Sequence, residues 1–139
     1  MDRIDKILNH DLFLYHLGKN NAAEADRRFC RHSMVHFLDV ARIGTIIALE
    51  EGLELDREWI YAAALLHDCG KHEQYENGTP HEQASARIAP EILKDCGFDD
   101  KETDVIVTAI SRHRDPEAAK EKNLNGVLYR ADKASRACF

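Results

Sequence analysis

Apolar side chains recur along this chain at steps of three and four and almost nowhere in strict alternation, so the pattern predicts helices and no sheet. From about residue 30 to residue 51, Val40, Ile43 and Ile47 mark one buried face, and Gly52 stops the helix. Continued back by four residues, that face reaches His36. Asp56 is placed to cap the next helix, "REWIYAAALLHD", with Glu58 in its first turn and Gly70 as its terminator. "ENGTP" signals a turn, after which Thr79 or Pro80 opens "HEQASARIAPEIL", where Pro90 is expected to kink or split the helix. "KETDVIVTAISRH" is a further amphipathic helix closed by "RDP", and "NLNGVLYRADKASRA" is the last, with Asn123 or Asn125 near its start. Before residue 30, "HDLFLYHL" and "AAEADRRF" predict two short segments parted at Gly18 and the Asn pair. The expectation is an all-α chain of six or seven helices.

Size and charge narrow the function classes. The 139 residues suffice for one sizeable core, so a single domain is expected. Lys and Arg number 19 against 25 acids, a net charge of −6, and no block of like charge stands out. Nonspecific nucleic-acid binding is disfavoured, whereas a local basic pocket for phosphate is compatible. "MDRIDKIL" has no signal-peptide pattern, and no apolar run approaches the roughly 18 residues that span a bilayer, so a soluble, cytoplasmic protein without a membrane partner is expected. A homo-oligomer is compatible with the sequence. Cys30, Cys69, Cys96 and Cys138 contain no CxxC pair and read as buried apolar groups or surface thiols, Cys69 beside Asp68 being the one to watch.

Eight histidines divide by position. His10 and His16 lie on the early polar segments and read as solvated. His36 lies on a buried helix face, His67 and Asp68 end an apolar helix, His81 begins one, His113 ends one, and Asp132 follows an apolar pair. Six such groups on five helices of one small core point to a metal site, because imidazole and carboxylate suit iron, manganese and zinc. The lack of a Cys ligand set argues against a structural zinc finger. Adjacent His67 and Asp68 project about 100° apart around a helix, yet both can reach an ion at its end. Asp68, with two oxygens, can bridge two cations.

The ordered set His, His-Asp, His, His, Asp resembles the HD-domain metal-dependent phosphohydrolases. The resemblance runs over residues 36–136 and rests on "HFLDVARIG", "ALLHDCGK", "HEQASA", "AISRH" and "LYRADKASR". It implies a helical bundle of the HD type around a buried metal site, with residues 30–139 as the core and residues 1–29 as a helical extension. The two histidines between the His-Asp pair and the last Asp place the chain with the dinuclear branch. His36, His67, Asp68 and Asp132 then hold one divalent transition-metal ion, and Asp68, His81 and His113 a second, iron, manganese or similar, with Asp68 bridging. His36 suits the family's "HxxxVA" spacing, and His32, one turn earlier, is the alternative first ligand or a substrate contact.

The same resemblance implies a metal-activated hydroxide attacking a phosphate ester or anhydride. Asp68 and Lys71 are then the catalytic pair, Lys71 as the phosphate contact kept by "HDxGK" members, with Arg112, Arg136 and His32 as further substrate contacts. Arg114 and Lys133 are weaker candidates. The Glu-Asp pair of alarmone hydrolases and the "GYP" extension of cyclic dinucleotide phosphodiesterases are missing. The arrangement is similar to small bacterial hydrolases of symmetrical dinucleoside tetraphosphates, so a small phosphorylated, nucleotide-like substrate is expected. A mixed-valent di-iron oxygenase and a non-catalytic metal-binding module are the alternatives.

Overall fold

The structure is a computed structural model that describes residues 1–25 and 33–135. His32 and Arg136, and with them Cys30 and Cys138, lie outside the described residues. Within these, the chain forms α1 (Asp2–Leu8), α2 (Asp11–Ala23), α3 (Met34–Glu50), α4 (Arg57–Leu66), α5 (Lys71–Asn77), α6 (His81–Asp95), α7 (Asp100–Ser111), a 3₁₀ turn (Pro116–Lys120) and α8 (Leu124–Ala134), with no strand. The all-α expectation holds.

Local chemistry sets the boundaries. The side chains of Asp56 and Asn123 accept from the backbone N–H groups of Glu58 and Gly126, and Asp99 forms a reciprocal capping box with Glu102. Gly52 turns the chain after α3 with φ 68°, in the region glycine favours. α4 forms the middle of the packing. Its "AAALL" run, residues 62–66, is entirely buried, and α1, α3, α6, α7 and α8 all pack against it. A helix apolar on every side belongs inside, and its three alanines let neighbours approach closely. Phe13, Phe37, Ile92, Leu93, Ile106 and Ile110 complete the core.

Three expectations are corrected. α2 is one helix through Gly18 and the Asn pair, because Asn20 points inward, fully buried, and bonds to distant backbone. Pro90 does not split α6, which runs on through it to Asp95. Gly70 does not terminate α4, which has already ended at Leu66; its φ is −95°. Gly70 is instead where the chain crosses α6, a Cβ there falling 2.7 Å from the Ala84 Cβ and the Ser85 nitrogen.

Candidate metal centre

Burying α4 carries His67 and Asp68, which follow its last turn, into the interior with 0% and 2% exposure. Around them α3 brings His36, α6 opens with His81, His113 follows α7, and α8 supplies Asp132. The side chains form two groups that share Asp68. In the first, His36 Nε2 lies 3.1 Å from Asp132 Oδ1 and 3.6 Å from Asp68 Oδ2, and His67 Nε2 lies 3.2 and 3.3 Å from the same Asp68 and Asp132 oxygens. In the second, Asp68 Oδ1 lies 3.4 Å from His81 Nε2 and 3.5 Å from His113 Nε2, and the two nitrogens stand 3.0 Å apart. First-row metals bind such atoms at about 2.0–2.2 Å, so atoms sharing one ion stand roughly 3.0–3.6 Å apart. Both groups match that spacing and can hold an ion.

Hydrogen bonds on the far side of each ring set which nitrogen faces inward. His67 Nδ1 donates to the Ala64 carbonyl and His113 Nδ1 to the Ile110 carbonyl, both at 2.6 Å, satisfying carbonyls near the ends of α4 and α7. Gln74 Oε1 accepts the His81 backbone N–H at 3.0 Å, which identifies it as the amide oxygen, so His81 Nδ1 at 2.8 Å is also a donor to it. His36 Nδ1 meets the Ser135 hydroxyl at 3.0 Å. His67, His81 and His113 therefore aim Nε2 lone pairs at the carboxylates. Two lone pairs 3.0 Å apart, as between His81 and His113, repel unless a cation lies against them. The donor set fits metal ions.

Within the cluster of side chains taken alone, charge pairing outweighs burial, and His67 would carry a proton that a bound cation has to displace. Burial alone would push His67 down and Asp68 up. Instead, Asp68 and Asp132 hold the His67 imidazole well above its ordinary value, and the imidazoles of His67, His113 and His36 hold the Asp68 carboxyl well below the carboxylate range. Asp132 is likewise lowered against burial by His67 and His36. His81 is pushed down to about 3, chiefly by burial, with Lys71 and His113 adding to the effect and Asp68 opposing it.

A cleft of ≈ 270 Å³ opens onto these groups, lined also by Lys71, Arg114, Lys133 and Ser135. Lys71 Nζ stands 3.4 Å from the His81 ring. Arg112, expected at the substrate, is not there: its guanidinium pairs with Asp115 at 3.2 Å and with Glu121, tying the end of α7 to the 3₁₀ turn. α7 ends at Ser111, and past that point helical phase no longer tells which of two flanking arginines faces the cleft. Arg114 faces it.

Asn20 and His72 had no sequence signal. Asn20 spans the loop after α4, donating to the Asp68 carbonyl and accepting from the His72 backbone N–H, both at 2.8 Å. His72, buried, meets His16 at 2.9 Å with the rings stacked, so His16 is half-buried rather than solvated, and burial with the His72 charge lowers it. Cys69 is a buried apolar group whose thiol burial pushes up to about 12.

Comparison with known proteins places this geometry. An uncharacterized protein of Clostridium beijerinckii is 49% identical over 139 residues, all of this chain and 87% of its own. The crystal structure of a predicted HD superfamily hydrolase from an uncultured Thermotogales bacterium superimposes with a TM-score of 0.66 at 27% identity, over 86% of this chain and 66% of that one. The chain thus spans just under two thirds of that structure's length. The likeness is one of fold, and the histidine-carboxylate clusters are what could hold metal ions within it. The family model for the HD domain matches residues 34–137, and because that span holds all six converging side chains, from His36 to Asp132, this protein belongs to the HD-domain family.

Proposed function

We propose that this protein is a phosphohydrolase using two divalent transition-metal ions, iron or manganese, to cleave a phosphate ester or anhydride of a small, nucleotide-like substrate, in the cytoplasm. The observation that carries the reading is the division of Asp68, whose Oδ2 faces His36 and His67 while Oδ1 faces His81 and His113. Ions bound there would supply hydroxide at neutral pH and offset phosphate charge.

The chain's own residues do the rest. Lys71, Arg114 and Lys133 put three cationic groups on a cleft otherwise lined by carboxylates, imidazoles and the Ser135 hydroxyl. Arg114 offers a planar fork for two phosphate oxygens, and Lys71, at the first turn of α5, is placed to neutralise a leaving oxygen. The cleft, of ≈ 270 Å³, has room for a phosphoryl group against these side chains.

The test is metal analysis followed by assays with manganese or iron on p-nitrophenyl phosphate, its bis ester and a nucleotide panel that includes dinucleoside tetraphosphates. Turnover of a phosphate substrate is expected, with Arg114→Ala raising KM and Arg112→Ala leaving it near wild type. Two bound ions without turnover of any phosphate compound would sink the proposal, and oxygen-dependent product formation by an iron-loaded sample would replace it with an oxygenase.

A further inference from the structure

The solvent side of α3 carries three of the seven exposed large apolar side chains among the described residues: Val35 at 67%, Ile46 at 54% and Leu49 at 75%. With half-buried Asp39 and exposed Arg42 between them, they step by four, three, four and three along the helix. That is the 3.5-residue repeat by which one helix seats along another, and not the wider stripe of a face turned to its own core. Neither Asp39 nor Arg42 makes an ion pair among the described residues. Charges at seam positions disfavour pairing unless they meet their opposites, and so they select the partner and the register.

One arrangement meets that condition. If α3 lies antiparallel to a second α3, the register that sets Val35 against Ile46 also sets Asp39 against Arg42, because both pairs are centred between Val40 and Ala41. A two-fold axis repeats each contact, giving two apolar pairs and two ion pairs. A parallel arrangement would set Asp39 against Asp39, and sliding the antiparallel one along the stripe would leave the charges facing apolar groups. We propose that two copies of this chain pair through α3 in this antiparallel register. In this register the paired stretch runs from Val35 to Ile46, about 16 Å at 1.5 Å per residue, and Leu49 lies beyond its end. One seam of that length is smaller than a standard interface of about 800 Å² per partner, so the dimer is reversible.

Sedimentation equilibrium over a dilution series tests it. The wild-type mass is expected to rise from 15.8 kDa toward twice that value with concentration. Asp39→Arg and Arg42→Asp, each alone, put like charges opposite one another and are expected to hold the monomer mass over the same range. Mixed in equal amounts, the two variants present opposite charges at both contacts, and the dimer mass returns. A wild type that stays monomeric, single variants that dimerise as well as wild type, or a mixture that stays monomeric would each overturn the proposal. The mixing arm guards against misfolding, since a variant that has lost its fold cannot regain the dimer by mixing.

Discussion

Gly70→Ala isolates the crossing of the "HDCGK" loop over α6. The backbone of Gly70, with φ −95° and ψ 11°, suits alanine, so conformation alone would favour the variant by about 0.4–1 kcal/mol through the unfolded chain. Space decides otherwise. The new Cβ would lie 2.7 Å from the Ala84 Cβ, 2.7 Å from the Ser85 nitrogen and 2.8 Å from the Ala84 carbonyl carbon. Two of these atoms are backbone of α6 and have no rotamer to change. Forcing the elements apart costs about 1–3 kcal/mol as overpacking. Separation also lengthens the 2.9 Å bond from the Gly70 N–H to Ser85 Oγ, worth about 1 kcal/mol. The net expectation is a loss of about 2 kcal/mol, or a fall in Tm of about 8 °C for a chain of this size. Urea and thermal unfolding of chelator-treated protein measure it without the contribution of bound metal. Gly18→Ala is the control: Gly18 lies inside α2 with nothing within 4 Å of a Cβ, so alanine should gain about 0.5–1 kcal/mol there. If Gly70→Ala unfolds within about 0.5 kcal/mol of wild type, steric approach to α6 is not what requires glycine.

Asn20→Ala should cost about 2–4 kcal/mol, because it strands the Asp68 carbonyl and the His72 N–H, whereas exposed Asn21→Ala should change stability by under about 0.5 kcal/mol; equal urea midpoints would refute the clamp. By mass-spectrometric metal analysis, His36→Ala is expected to lose metal and His32→Ala to keep it, and the reverse would move the first ligand one turn back. The chelated protein should lose stability as pH falls from 6.5 toward about 3, since the unfolded chain takes up a proton that buried His81 refuses. His81→Gln removes that proton from the balance, so its stability should fall less steeply over the same range in pH-dependent urea titrations, and identical slopes would contradict it.

What could be read without coordinates was whatever acts over a few residues. The spacing of Val40, Ile43 and Ile47, the caps at Asp56 and Asn123, and the placement of six histidine and aspartate groups at helix ends or on a buried face are local patterns, and the helices bring those six together. What escaped depends on partners far along the chain. Gly18 and two asparagines resemble a helix break until Asn20 is seen to bond residues 48 and 52 positions away. His72 had no assignable role because its neighbour, His16, lies 56 residues earlier. Arg112 was expected at the cleft ahead of Arg114, and the order reverses because the two acids that claim Arg112, Asp115 and Glu121, are set by the turn after α7.

The four imidazoles of the centre do not all owe their orientation to the same kind of neighbour. His67 and His113 lean on a carbonyl three residues back in their own helices, and no side-chain substitution can remove that support. His81 and His36 lean on Gln74 and Ser135, side chains that single substitutions can exchange. A carboxylate in place of Gln74 would make His81 a more electron-rich donor, and loss of the Ser135 hydroxyl would relax one restraint on the His36 ring. Metal preference can therefore drift between relatives whose six converging residues are identical, through two positions that touch no ion.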